Sequence, residues 1–108
     1  MLDEQTRVVA EELRRLLEAI DGSIRPMFGG YCFYVEGKVV GTVCDGQIFV
    51  KRSKRDDMFE GYAELAPPYP GAKDSWRVPA HSISDEPDQL LSLIEQVATV
   101  LPARKARR

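Results

Sequence analysis

At 108 residues, 44% hydrophobic and 30% charged, the chain has the size and composition of one ordinary globular domain, able to bury a core without metal or disulfide support. A net charge of −2 argues against a binder that meets nucleic acid with its whole surface, and no apolar run approaches the ~20 residues that cross a bilayer, so no membrane partner is expected. Two cysteines, Cys32 and Cys44, are too few for a disulfide framework or a structural zinc site; with the acidic start MLDEQTRVV, unlike a signal peptide, they point to reduced thiols and a cytoplasmic location.

The spacing of Val9, Leu13, Leu16, Leu17 and Ile20 predicts an amphipathic helix over residues 3–21, capped by Asp3 and stopped by Gly22 and Pro26. YCFYVE (31–36), VVGTVC (39–44) and QIFVK (47–51) follow as three strands of an antiparallel meander. Gly37-Lys38 is read as the first two-residue hairpin loop and Asp45-Gly46 as the second. That register sets Glu36 opposite Val39. It places Cys32, Tyr34, Val43, Ile48 and Val50 on one face, and Phe33, Val35, Val40, Thr42, Cys44 and Phe49 on the other. The thiols then point in opposite directions. Both faces are apolar, so the second is expected to be covered by a later segment or by another subunit.

Residues 52–74 are less regular, with a helical turn around Asp57 to Gly61 and a proline-rich loop, APPYPGAKDS. SWRVPA (75–80) reads as a short strand pushed to an edge by Pro79. A closing helix is expected from about Asp85 to Leu101, with Pro87 in its first turn and Pro102 ending it. Residues 1–102 thus form a single domain, and 103–108 a basic mobile tail. The expected fold is α+β in two layers, an antiparallel sheet with the N- and C-terminal helices packed on it.

No complete catalytic or cofactor motif emerges, and no cofactor or metal is expected. Gly29-Gly30 follows a helix and precedes a strand, the reverse of a phosphate-binding loop, and is read as a tight entry to the sheet. His81 is the only histidine; Ser82 and Ser84 beside it lack the surroundings of a nucleophile, so catalysis in a cleft there ranks third among the readings. Asp56, Asp57 and Glu60, and Asp85, Glu86 and Asp88, fit no calcium-loop spacing. Lys51, Arg52, Lys54 and Arg55 are either a solvated strand end or an anion or nucleic-acid contact, joined by Arg25 and by Arg104, Lys105, Arg107 and Arg108 of the tail. Phe33, Phe49, Tyr69 and Trp76 are candidate partner contacts; for Tyr69 and Trp76 the alternative is packing of the proline-rich loop on the core.

The block RPMFGGYCFYVEGKVVGTVCDGQIFVK resembles the hallmark of the TfoX/Sxy N-terminal domain family of bacterial competence regulators. Met27, Phe28, Gly29, Gly30, Tyr31, Tyr34, Gly37, Lys38, Val50 and Lys51 carry the likeness. WRVPAHSISDEPDQLLSLIEQV is similar, less specifically, to the family's last strand and closing helix. The resemblance implies a two-layer α+β domain acting in the regulation of DNA uptake, without catalytic residues, and here a stand-alone N-terminal module. The expected function is therefore a non-catalytic interaction domain, self-associating as a homodimer or meeting a regulatory protein. Nucleic-acid binding through 51–55 and the tail is the alternative.

Overall fold

A computed structural model describes residues 4–27, 29–79 and 81–102. Helix α1 (Glu4–Leu17) ends in a 3-10 turn (Glu18–Ile20) and leads into strands β1 (Gly22–Met27), β2 (Gly30–Val35), β3 (Lys38–Cys44) and β4 (Gln47–Val50). After a 3-10 turn (Asp56–Met58) come β5 (Glu64–Ala66), β6 (Ser75–Val78), the short helix α2 (Ser82–Asp85) and the long helix α3 (Pro87–Val100). The strands make one six-stranded antiparallel sheet in the order β1-β2-β3-β4-β6-β5. The expected α+β architecture is what forms.

Two strands were not anticipated. SIRPM, with a proline and a charge, carries little strand propensity, yet it pairs with β2 as an edge, where a residue without an N–H is tolerated. Three-residue β5 is too short for any periodic signal and forms the other edge by pairing with β6. SWRV is therefore an interior strand, held between β4 and β5, and Pro79 lies just beyond its end. The expected closing helix is α3, with Pro87 opening it where its missing N–H costs nothing, and the short helix α2 precedes it.

The register of β2 and β3 also differs from expectation. The hairpin loop is Glu36-Gly37, both at positive φ (54° and 79°), so Val35 faces Lys38 and Tyr34 faces Val39. A bulge follows: Phe33 pairs with Gly41, and Val40 is the extra residue. These shifts reassign the faces. Phe33, Val35, Val40, Val43, Ile48 and Val50 share one buried core with Trp76 and Val78 of β6, Leu13 and Leu17 of α1, and Leu90, Leu93, Ile94 and Val97 of α3. Cys32, Tyr34, Thr42, Cys44 and Phe49 lie on the opposite face.

Both long helices thus pack on the same side of the sheet. Phe59, fully buried after the second 3-10 turn, stacks on Trp76 with ring centroids 5.7 Å apart and extends that core. The N-terminal end of α1 is tied to the β3–β4 turn, where the Gly46 amide donates to Thr6 Oγ1 at 2.8 Å in a buried setting. Lys38 Nζ donates to the Ala98 carbonyl at 2.8 Å, joining the start of β3 to an unpaired carbonyl at the end of α3.

Candidate functional site: the open sheet face and a basic groove

No helix among the described residues contributes to the core from the second face, because α3 joins α1 on the first. A single row crosses all six strands on that face: Arg25 on β1 opposite Cys32, then Thr42, Phe49 and Arg77, with Glu64 beyond. Cys32, Tyr34, Val39 and Thr42 remain half-buried, while Phe49 and Cys44 are sealed among their neighbours. The Arg25 guanidinium lies 5.9 Å from the Tyr34 ring centroid. Arg77, paired with Glu64, stands beside Phe49. The face is therefore a shallow strip of apolar and weakly polar side chains bordered by Arg25 and by the Arg77–Glu64 pair.

Both thiols are on this strip, contrary to the expectation that they diverge. Cys32 is opposite Thr42 and Cys44 opposite Gly30, which makes the cysteines diagonal neighbours on adjacent strands. Diagonal α-carbons stand about 7–8 Å apart, beyond the reach of an unstrained disulfide, and both are free thiols. Burial pushes the Cys44 thiol up; the hydroxyl of Thr42, two residues away on the same face, opposes that rise in part.

Of the four candidate partner aromatics, Phe33 is completely enclosed in the core, and Trp76, 6% exposed, is held there by Phe59. Packing is the role their positions give them. Phe49 belongs to the open face but shows only 3% of its surface; Tyr69 is the exposed one, at 48%.

The basic cluster is divided by the fold. Arg55 turns toward α3, where Nη1 donates to Gln96 Oε1 at 2.9 Å, and Arg52 Nε donates to Asp56 Oδ2 at 3.2 Å. Lys54 is exposed. Lys51 and Arg52, however, line a groove at the end of α3. One compartment, of about 400 Å³, is walled by Tyr34, Lys38, Val39, Lys51, Leu101 and Pro102. The adjoining one, of about 700 Å³, is walled by Lys51, Arg52, Ala72, Lys73, Asp74, Ser75 and Leu101. Lys38 and Lys73 were not among the basic contacts expected from sequence, where Lys38 was read only as a hairpin-loop and family-block residue, because nothing in linear order joins residue 38 to 51 or 73. The tail candidates Arg104, Lys105, Arg107 and Arg108 lie outside the described residues.

Asp56, read as part of an acidic cluster, is a structural bolt. Its Oδ1 accepts from Trp76 Nε1 at 2.7 Å and from the Ser53 amide at 3.0 Å. Partial burial alone would raise its carboxyl; the hydrogen bonds from Trp76, Ser53 and Arg52 outweigh this and hold it below its ordinary value. Among the described residues no group of three or more His, Cys, Asp or Glu is placed to hold a metal ion. His81 is exposed and lies 3.4 Å from Asp85 in a surface pair. The Ser82 hydroxyl is instead engaged with Tyr62 at 2.7 Å, and Ser84 Oγ donates to the His81 carbonyl.

Gly29 adopts φ +72°, and a side chain on Gly30 would meet the Val43 carbonyl oxygen at 2.2 Å. The glycine pair thus serves the turn into β2 and the close approach of β3. Among the described residues no helix is long and apolar enough to cross a membrane.

The sequence model of the TfoX N-terminal domain matches residues 15–100. An uncharacterized 12.7 kDa protein in the trpE 5′ region of Spirochaeta aurantia is 39% identical over 82 residues, covering 76% of this chain and 70% of the relative. The match begins inside α1 and closes with α3, so it embraces the whole sheet and both faces described above.

Proposed function

The chain belongs to the TfoX N-terminal domain family, and on that premise we propose that it is a non-catalytic regulatory module that works through protein contacts made by its open sheet face, first of all with a second copy of itself. In the cell its place is in the control of DNA uptake, the process in which this regulator-like family acts.

One observation carries this reading: on the face opposite both long helices, Cys32, Tyr34, Val39 and Thr42 stay only half-buried around the sealed Cys44 and Phe49. A two-fold pairing of such strips is self-complementary, with each Arg25 and Arg77 border meeting the rim of the other copy. Thr42 is half-buried at the centre of the row with its hydroxyl out of solvent, so a Glu there must reach past that position to be solvated in a monomer and would be desolvated in a dimer.

Light scattering coupled to size exclusion tests this directly. The full chain is expected to elute as a dimer at micromolar concentration and Thr42→Glu as a folded monomer. A wild-type chain that stays monomeric across the accessible concentration range sinks self-association.

A further inference from the structure

The groove at the end of α3 concentrates positive charge on a protein whose overall charge is −2. Lys38, Lys51, Arg52 and Lys73 line its two compartments, with Asp74 the one carboxylate among the lining residues. Lys51 and Leu101 line both compartments, so the two adjoin. The cations retain donors. Lys38 spends one of its three ammonium hydrogens on the Ala98 carbonyl, and Arg52 keeps part of its fork free of Asp56. Lys38 also covers a carbonyl at the negative end of α3, which would otherwise repel an anion at this place.

The walls are not uniformly charged. In the smaller compartment Tyr34, Val39, Leu101 and Pro102 supply an apolar lining beside Lys38 and Lys51, a slot for a flat group. At about 400 Å³ the slot is in the size range of small-ligand sites. A half-buried aromatic side chain among ammonium groups, beside a second basic compartment, matches a nucleotide chain: a base against the edge or open side of Tyr34, whose ring also meets Arg25, and successive phosphates along the lysines. An acidic peptide would use the charges but has no group that needs the slot. A duplex would present its phosphates but hides its base faces.

We propose that this groove binds single-stranded nucleic acid, with a base against Tyr34 and the backbone phosphates on Lys38, Lys51, Arg52 and Lys73. The slot shares Tyr34 and Val39 with the open face, so pairing there would compete with a base for Tyr34, but binding by the groove does not require pairing and survives if the wild-type chain is a monomer.

The test is fluorescence anisotropy of the full chain with a short fluorescein-labelled oligothymidylate over a salt series. Neutralising three to four phosphates predicts a slope of log K against log salt of about −2 to −3, at about −0.7 per phosphate of a single strand. Lys51→Glu combined with Lys73→Glu is expected to weaken binding at least tenfold and to flatten the slope, on the order of one to two phosphates' worth. Tyr34→Leu is expected to weaken binding with the slope unchanged, because a base contact releases no counterion. Lys54→Glu, outside the groove, serves as the charge control and is expected to change affinity less than about twofold. Circular dichroism establishes that each variant is folded.

No binding of the wild type at low salt overturns the proposal. So does full retention in the folded double variant, since binding then resides in the basic tail or elsewhere. Equal loss in Lys54→Glu, or equal competition by polyglutamate or by a duplex of the same sequence, overturns it as well.

Discussion

Asp56 shows how a single carboxylate can be misread in a linear sequence. Beside Asp57 it resembles half of an acidic pair, but its partners are Trp76, twenty residues away, and the Ser53 amide. It locks the loop after β4 onto the core tryptophan. Trp76 is the chain's only tryptophan, so its emission reports on this bolt. Asp56→Asn keeps an acceptor for the indole but removes the charge, and is expected to cost about 1–2 kcal/mol at neutral pH. The sign of the pH dependence follows from the lowered pKa of the folded state. The stabilisation is complete above the unfolded value of about 3.9 and is lost as pH falls through the folded pKa. Urea denaturation followed by Trp76 emission should therefore show a gap between wild type and Asp56→Asn at pH 7 that narrows below about pH 4. A gap constant across that range would mean that the charge contributes nothing. The same residue scale explains the groove: Lys51 and Arg52 are conspicuous in sequence because they stand together, whereas Lys38 and Lys73 reach them only through strand pairing and a loop.

At the scale of elements, the two hairpins form a natural comparison. Asp45-Gly46 and Glu36-Gly37 have nearly the same backbone, with φ of 55° and 73° in one and 54° and 79° in the other. Asp tolerates the left-handed first position and was legible as a turn; Glu does not, which is why the sequence pointed instead to Gly37-Lys38. Moving the loop by one residue and inserting a bulge at Val40 was enough to exchange which residues face the helices. Glu36→Asn gives the first loop the residue its geometry favours and is expected to stabilise the chain by about 0.5–1 kcal/mol. Thermal unfolding should rise by roughly 2–6 °C; a fall would show that Glu36 has a compensating contact. The helices and the three meander strands were legible because their periodicity spans enough residues. β1 and β5 were not, since an edge strand is defined by its neighbour's hydrogen bonds rather than by its own side chains.

For the molecule as a whole, the decisive feature is that both long helices choose one side of the sheet. The composition of the strands signalled two apolar faces and hence a missing cover, but the assignment of residues to those faces depended on a bulge that no local pattern marks. With the observed register, the cysteines become reporters on the face away from the helices. Cys32 is half-buried there, whereas Cys44 is 4% exposed and its thiol is pushed up by burial. A thiol reagent should therefore modify Cys32 first and reach Cys44 only on a slower phase set by opening of the sheet. Pairing of two copies through this face would cover Cys32, so its rate should fall as protein concentration passes through the dimer dissociation constant. In Thr42→Glu the rate should remain fast at every concentration, with the Cys44 phase unchanged. Absorbance-monitored disulfide exchange on wild type and Cys32→Ser assigns the two phases. If light scattering finds a dimer while Cys32 reacts at a concentration-independent rate, the copies meet elsewhere, and the exposed backbone of the β1 edge becomes the surface to examine.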